Sequence, residues 1–459
     1  MPGYDPTHRA PRPPRRIPGL GWVLGAASVL AVIGLVMGAM TYFGGDPGAA
    51  DEQTPSRAEG DPAGERETVG AAASDPEVDP DEPTSWGPTV GELAQAQELV
   101  AGWDAERLAG QVIIGRYDGY DPETPAALVR DLHLAGVTMT NSNVEDAEQV
   151  TATTSAVADA MTADGRTFPP LIGVDQEGGL VAHLGDVATT YPSFQQAGDV
   201  ITAAPVEGRR LVTEATRASG LELRQLGFTW VYAPVADVTI GYGDVTIGSR
   251  SASTDPDVAA DAVVAALEGF SSAGVVTSTK HFPGHGSATE DSHAVVPEVT
   301  ATLEELRARD LVPFAAAVDA GAPAVMLGHL GVDAIAPGEP ASMAPAAYDF
   351  LRDELGFEGV TMTDSLGMGA VYGRNRPALT AFLAGADLLL MPADTATAHA
   401  TITAAIESGE ISRERAEESA ARVVAIQLWQ QRIAAEVAVP LDATTQAEAA
   451  AAALVAAAP

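Results

Sequence analysis

The chain of 459 residues has no cysteine and a single lysine, Lys280, and its 25 basic residues are outnumbered by 63 acidic ones. Without cysteine there can be no disulfide, no thiolate ligand to a metal and no lipid-modified cysteine. A formal net charge of −38 argues against nucleic acid as a partner, because binding to phosphates needs a basic face. An apolar content of 46% is that of a folded globular protein and leaves room for a large core.

The single lysine lies in the run 280–286, which reads KHFPGHG, and three of the eight histidines fall within 13 residues of one another there: His281, His285 and His293. Every other basic residue of the chain, apart from histidine, is an arginine. Arginine and lysine differ where a compact ammonium rather than a planar guanidinium must donate to one spot. We therefore expect the centre of a functional site in this segment.

The N-terminal part predicts a membrane anchor. Residues 1–19 are basic, and residues 20–43 follow with no charge at all. As a helix, these 24 residues would span roughly 36 Å, enough to cross a bilayer core. The charge pattern orients the N-terminus toward the cytoplasm and the rest of the chain outside, as a single-pass protein of the cell membrane. The alternative is a cleaved signal peptide and a secreted protein.

Residues 44–88 predict a disordered linker, because they carry 12 acidic residues, many prolines and almost no large apolar side chains. The folded domain is expected at residues 89–440, followed by an alanine-rich tail at 441–459. Within the domain, eight short and nearly continuous apolar runs, typical of buried parallel strands, alternate with helical patterns. Two of the predicted helices are 256–273 and 303–320. Eight such repeats in about 350 residues predict an α/β fold of the (β/α)8 TIM-barrel type. A doubly wound sheet is the alternative, but no Gly-x-Gly-x-x-Gly run follows the first strand. The predicted strands are 111–115, 136–140, 170–174, 229–234, 275–279, 324–327, 359–363 and 386–391.

Polar side chains follow the carboxyl ends of the predicted strands, where barrel enzymes carry their sites. Asp175 comes after the third strand, Arg250 lies in the loop after the fourth, and Lys280 and His281 close the fifth. Asp364 comes directly after the seventh. Because these strand ends meet at one mouth, we expect the five side chains to surround a polar ligand.

Two of the candidates suit acid, base or nucleophilic chemistry. An uncovered aspartate such as Asp364 can act as a nucleophile, a base or a metal ligand. Asp291 lies two residues before His293, so its carboxylate can orient the imidazole and give an acid/base group that titrates near neutrality. Glu290 competes for the role of proton donor, because glycosidases usually employ carboxylates.

The alternative for this segment is a zinc site made of His281, His285, His293 and an aspartate. No His-x-His run follows the first strand, and Lys280 would put a cation beside the metal. We therefore expect no metal at this site.

The run 280–286, followed by Asp291-Ser292-His293, resembles the family 3 glycoside hydrolases and within them the single-domain β-N-acetylglucosaminidase (β-hexosaminidase) branch. Further matching segments are 175–179 (DQEGG), 233–238 (APVADV), 247–250 (IGSR) and 363–366 (TDSL). The resemblance covers about residues 95–435. It implies a barrel enzyme with no metal or organic cofactor.

In mechanism, the resemblance implies a retaining exo-glycosidase that forms a covalent glycosyl-enzyme. Asp364 would attack the anomeric carbon, while His293, oriented by Asp291, would protonate the leaving oxygen and then deprotonate water. The terminal N-acetylglucosamine would be held by a set of polar side chains: Asp175, Arg250, Lys280 and His281. The expected partner is a cell-wall glycan such as a peptidoglycan fragment, and the expected state is a monomer bound to the membrane through its N-terminal helix.

The chain departs from the family pattern in one place. The family reads Gly-Gly-Arg-Val-x-Arg after the acidic motif, whereas this chain has Leu180 and His183 at the two arginine positions. His183 is a candidate substitute for the second arginine, which helps to bind the sugar. Two other enzymes stay open as alternatives, a β-glucosidase and a β-glycoside phosphorylase, since an Asp-His pair would suit an anionic acceptor such as phosphate. The change at Leu180 and His183 leaves open a third, a non-catalytic cell-wall glycan-binding protein.

Overall fold

The computed structural model describes residues 79–459, except for residues 242, 243, 245, 289 and 293. The predicted anchor at 20–43 and the predicted linker up to residue 78 lie outside the described residues, as does His293. None of the helices in the described part combines the length and the apolar character needed to cross a membrane.

The strands are short and mostly parallel. Six of them form one parallel sheet in the order β13-β1-β2-β3-β6-β7, and three form a second in the order β12-β10-β8. Each predicted strand contains or overlaps an observed one, which confirms an α/β fold built on buried parallel strands. The strands of the described residues are β1 Ile113–Gly115, β2 Gly136–Met139, β3 Leu171–Val174, β4 Gln176–Gly178, β5 Val181–Ala182, β6 Trp230–Val231, β7 Val276–Thr277, β8 Thr279–Phe282, β9 Glu298–Val299, β10 Ala324–Leu327, β11 Gly331–Val332, β12 Val360–Thr363 and β13 Leu389–Leu390.

Isolated parallel bridges link the two sheets. Val235, which follows β6, pairs with Lys280 of β8, and Met362 of β12 pairs with Leu388, which precedes β13. At the closest approaches the backbones exclude side chains: a Cβ at Gly136 would lie 1.8 Å from the carbonyl oxygen of Leu171. Because the strands of both sheets run parallel, their carboxyl ends face the same way around a core of buried apolar side chains.

Helices separate the strands and cover the sheets. The predicted helix at 256–273 is found at Pro256–Ser272, whereas the one predicted at 303–320 is broken into two. The helices of the described residues are α1 Val90–Val100, α2 Ala105–Gln111, α3 Glu123–Asp131, α4 Ala147–Ala163, α5 Gln195–Ala203, α6 Pro205–Gln225, α7 Pro256–Ser272, α8 Leu303–Ala308, α9 Val312–Asp319, α10 Pro345–Asp353, α11 Gly369–Tyr372, α12 Pro377–Ala384, α13 Thr395–Ser408, α14 Arg413–Glu436 and α15 Ala443–Ala457.

Side-chain caps fix where several helices begin. Thr89 and Glu92 form a reciprocal capping box at α1, and Thr302 and Glu305 form another at α8. Each box satisfies backbone N–H groups that the first helical turn leaves without a partner. Asp255 accepts a hydrogen bond from the backbone N–H of Asp257 at the start of α7.

Both ends of the predicted domain differ from the sequence-based boundaries. Residues 79–88 were expected in the disordered linker, but Trp86 is buried and the ring of Trp429 packs against Gly87. The backbone N–H of Gly91 also donates to the carbonyl oxygen of Pro80, so contacts with the folded domain hold this short segment despite its acidic composition. At the other end, the alanine-rich tail forms α15, which packs on α6 and α5.

Candidate active site

A polar cavity of about 270 Å³ opens at the carboxyl ends of the parallel strands. Of the predicted site residues that the structure describes, it brings together all except Asp291. The polar and ionisable lining residues are Thr140, Asp175, Glu177, His183, Arg250, Lys280, His281, His285, Ser292, Asp364 and Ser365, and the apolar ones are Leu180, Val181, Met326, Met368, Leu390 and Met391.

The lone lysine is the centre of a buried ion-pair cluster. The Nζ atom of Lys280 lies 2.5 Å from Oδ1 of Asp175 and 2.7 Å from Oε1 of Glu177. Arg250 donates two parallel hydrogen bonds to the same Glu177 carboxylate, from Nε at 2.8 Å and from an Nη atom at 2.9 Å. The side chains of Lys280 and Glu177 are each only 2% exposed. One glutamate thus fixes both cations of the cavity.

Charge attraction in this cluster outweighs burial. Burial alone would raise the pKa of Glu177, but Lys280 and Arg250 hold it far below its ordinary value. Burial would likewise lower the pKa of Lys280, and attraction to Asp175 and Glu177 raises it instead. Lys280 is therefore an ammonium, and it donates hydrogen bonds and does not act as a base.

A second carboxylate positions His281. Asp237 is fully buried, and its Oδ2 lies 2.7 Å from Nδ1 of His281. Its other oxygen accepts from the backbone N–H groups of His281 at 3.2 Å and of His285 at 2.6 Å. Because an ionised carboxylate only accepts hydrogen bonds, Nδ1 of His281 carries the proton. Nε2 then faces the cavity side, where an Nη atom of Arg250 lies 3.4 Å away.

Asp364 follows β12 directly and lies half-buried in the cavity wall. Its backbone N–H donates to the carbonyl oxygen of Leu327, and its Oδ1 accepts from the backbone N–H of Ser365 at 2.7 Å. Burial would raise the pKa of Asp364, but His281, His329, the Ser365 N–H and Lys280 together lower it. The carboxylate is therefore ionised, which a nucleophile requires.

The structure describes two of the three remaining predicted site residues. His183 lines the cavity, with Nε2 4.0 Å from Oδ2 of Asp175 and a side chain that is 30% exposed. Asp291 is exposed, next to Ser292, whose Oγ lies in the cavity wall 3.1 Å from Nε2 of His285. His293 is outside the described residues, so its pairing with Asp291 stays a prediction. Among the residues that the structure describes, no group of three acidic or histidine side chains is arranged to hold a metal ion.

The comparisons with known proteins agree with this geometry. Residues 105–426 match the model of the glycosyl hydrolase family 3 N terminal domain. The chain belongs to glycosyl hydrolase family 3. A β-hexosaminidase of Stenotrophomonas maltophilia is 39% identical over 240 residues, which cover 52% of this chain and 69% of that protein. The β-hexosaminidase LpqI of Mycobacterium tuberculosis is 33% identical over 295 residues, covering 62% of this chain and 72% of that one.

Among solved structures, a family 3 β-N-acetylglucosaminidase from a Paenibacillus species superimposes with a TM-score of 0.71. It is 30% identical, and the match covers 77% of this chain and 68% of that one. The resemblance inferred from the motifs is confirmed, and this family 3 chain is a glycoside hydrolase.

Sequence reasoning missed two residues of this family 3 site. Glu177 and Asp237 both lie inside segments that match the family, 175–179 and 233–238, but the sequence alone predicts no role for either. The signal that could have identified them is their position in the chain. Glu177 is the second acidic residue after β3, and Asp237 is the first acidic residue after β6. The side chains they hold, Lys280 and His281, were identified directly.

Proposed function

We propose that the chain is a retaining exo-β-N-acetylglucosaminidase that removes terminal N-acetylglucosamine from peptidoglycan fragments or related glycans. The observation that carries the proposal is the ionised Asp364 in a cavity that is also lined by Lys280, Arg250 and His281. The names of the relatives support the sugar. A cavity of about 270 Å³ is slightly below the usual volume of small-molecule sites, roughly 300–1,000 Å³, which suits one terminal sugar ring.

In this proposal Asp364 attacks the anomeric carbon and forms a glycosyl-enzyme, while the aglycone leaves with a proton from His293. Asp291 orients His293, which then removes a proton from water as that water displaces Asp364. The sugar leaves with its anomeric configuration retained, because two displacements occur at the same carbon. Asp175, Arg250, Lys280, His281 and His183 hold the sugar hydroxyls.

We also infer that the two parallel sheets work as one (β/α)8 barrel. Support comes from the bridges Val235 to Lys280 and Met362 to Leu388, which join the sheets at both edges. Anchoring by residues 20–43, with the barrel outside the cytoplasm, would put a monomeric enzyme beside the cell wall; its support is the charge and hydropathy of the sequence alone.

The test is release of nitrophenol from the β-N-acetylglucosaminide and the β-glucoside by the full-length protein, with Asp364→Ala as the control. Turnover of the N-acetyl substrate by the wild type, reduced at least about a thousandfold in the variant, is the expected result. The variant should still unfold in one cooperative transition, which would show that the loss of turnover is not a loss of folding. Preference for the glucoside, or a sugar phosphate as product when phosphate is added, would replace the proposal with one of the alternatives. No turnover of either sugar would favour a glycan-binding protein.

A further inference from the structure

The C-terminal helix α15 contacts the site through the segment 189–194. Its buried residues are Ala443, Ala447, Ala451 and Leu454, spaced four, four and three apart, so they form one stripe that faces α6. The stripe is made mostly of alanine, which lets the two helices approach closely. This helix lies beyond residues 105–426, which match the family model.

Two polar contacts tie α15 to the segment. Tyr191 donates its hydroxyl hydrogen to the carbonyl oxygen of Ala447 at 3.2 Å. The buried carboxylate of Glu222 accepts from the backbone N–H of Thr189 at 3.0 Å and from its hydroxyl at 2.9 Å, and it also interacts with Thr444 of α15. The segment is therefore held at both of these points against α15.

The same segment holds the β4–β5 hairpin, which carries Glu177. The backbone N–H of Gly179 donates to the carbonyl oxygen of Tyr191 at 2.9 Å. Gly178 has φ 93°, and a Cβ there would lie 2.3 Å from the carbonyl oxygen of Pro192. Both the left-handed backbone and this close approach restrict the position to glycine. The hairpin cannot shift unless the segment shifts with it.

Leu454 of α15 packs against the buried side of the hairpin. An apolar cavity of about 50 Å³ lies beneath the hairpin, and its wall includes Leu454, Phe194, Glu177 and Gly178. Leu454 also belongs to a small apolar cluster that contains Ala252, two residues after Arg250. The leucine thus packs behind both of the loops that supply the Glu177–Arg250 ion pair.

We propose that α15 is a positioning element of the active site. Leu454 and Tyr191 keep the hairpin in place, and the hairpin in turn keeps the Glu177 carboxylate between Lys280 and Arg250. The helix touches no substrate atom. Its contribution is the geometry of the two cations, and hence the affinity for the sugar.

The test compares two leucine truncations of matched burial in the full-length protein. Leu454→Ala acts behind the hairpin, and Leu428→Ala removes an equally buried leucine from α14 that does not line the cavity beneath the hairpin, the residues being 6% and 7% exposed. Both should lower the melting temperature to a similar extent. Only Leu454→Ala should raise KM for the aryl N-acetylglucosaminide, because it displaces the two cations that bind the sugar. A misplacement of about 1 Å can cost up to about a hundredfold, so for a smaller displacement we expect a rise in KM of about tenfold and a smaller change in kcat.

Hydrogen exchange supplies a readout that does not depend on turnover. Leu454→Ala should speed exchange of the backbone amides of residues 176–182, including Gly179, whereas Leu428→Ala should not. Leu454→Met, which conserves volume, should restore both KM and exchange. If Leu454→Ala does not fold, Tyr191→Phe tests the same connection by removing only the hydroxyl, and faster exchange of the Gly179 amide is again expected.

An equal rise of KM in Leu428→Ala, or unchanged KM and exchange in Leu454→Ala, would overturn the proposal. The KM comparison rests on the proposed function, whereas the hydrogen-exchange comparison does not. The proposed function and the role of α15 can therefore fail separately. A wild-type protein that turns over no glycoside refutes the function, and the exchange comparison alone then decides whether α15 positions the hairpin.

Discussion

Replacement of Glu177 by glutamine should destabilise the protein more than any exposed charge can. The substitution keeps the size of the side chain and its ability to accept a hydrogen bond, but removes the negative charge that faces both Lys280 and Arg250. These partners are 2% and 13% exposed, so little water can replace the lost carboxylate. Loss of one member of a buried pair costs about 3–5 kcal/mol, because the remaining charge is left uncompensated.

The free energy of unfolding lost in Glu177→Gln should lie at the lower end of that range, because Asp175 also faces Lys280. The Asp175 carboxylate lies 2.5 Å from the Lys280 ammonium and continues to neutralise it in the variant. Arg250 has no such second carboxylate at hydrogen-bond distance among the described residues. We therefore expect the free energy of unfolding to fall by about 3 kcal/mol at pH 7.

The pH dependence of this loss has a defined sign. The folded-state pKa of Glu177 lies below its ordinary value of 4.5, so its contribution is fully present above that pH. The contribution declines as pH falls from 4.5 toward the lower folded-state pKa. The difference between wild type and Glu177→Gln should accordingly be constant from pH 6 to 7 and should narrow below about pH 4.5.

Urea denaturation of the full-length protein and the variant, at several pH values between 3.5 and 7, measures this difference. Glu354→Gln is the matched control, since Glu354 pairs with Arg307 and the two side chains are 50% and 51% exposed. That exposed pair should contribute less than about 1 kcal/mol. Equal losses in the two variants, or a difference for Glu177 that widens on acidification, would refute the electrostatic reasoning.

Two further predictions concern catalysis and sugar affinity. His293→Ala should slow the hydrolysis of glycosides with poor leaving groups far more than that of nitrophenyl glycosides, because only the former need a proton on departure. Steady-state rates on both classes of substrate measure the difference. Equal losses on both would assign the acid role to Glu290. His183→Arg should lower KM for the N-acetyl substrate, since a longer cationic side chain beside Asp175 can reach the sugar; a KM that stays the same or increases would show that His183 does not limit affinity.

The strands could be predicted because a parallel strand buried on both faces needs a nearly continuous apolar run. The lengths could not. The strand predicted at 229–234 is reduced to Trp230–Val231, although the Tyr232 N–H still donates to the carbonyl oxygen of Val174. The helix predicted at 303–320 breaks near Arg309, which lies outside helical geometry between α8 and α9. Hydrophobic periodicity continues through such a break and does not reveal it.

The site could be predicted to the extent that its residues follow strand ends. Asp175, Arg250, Lys280, His281 and Asp364 are brought to one cavity as expected. What the sequence could not supply is which carboxylate faces which cation. Glu177 lies in the β4–β5 hairpin and reaches Lys280 of β8 across about a hundred residues of chain, a contact that no local pattern reveals.

The charge of the cavity bears on the choice between hydrolysis and phosphorolysis. Among the described residues, three carboxylates line it, those of Asp175, Glu177 and Asp364, against the two permanent cations Lys280 and Arg250. Both cations are already paired, so a phosphate ion would enter against an excess of negative charge. The same excess stabilises the positive charge that develops at the anomeric carbon as the glycosidic bond breaks. The electrostatics therefore favour water as the acceptor, although an Asp–His acid/base pair would by itself tolerate an anion.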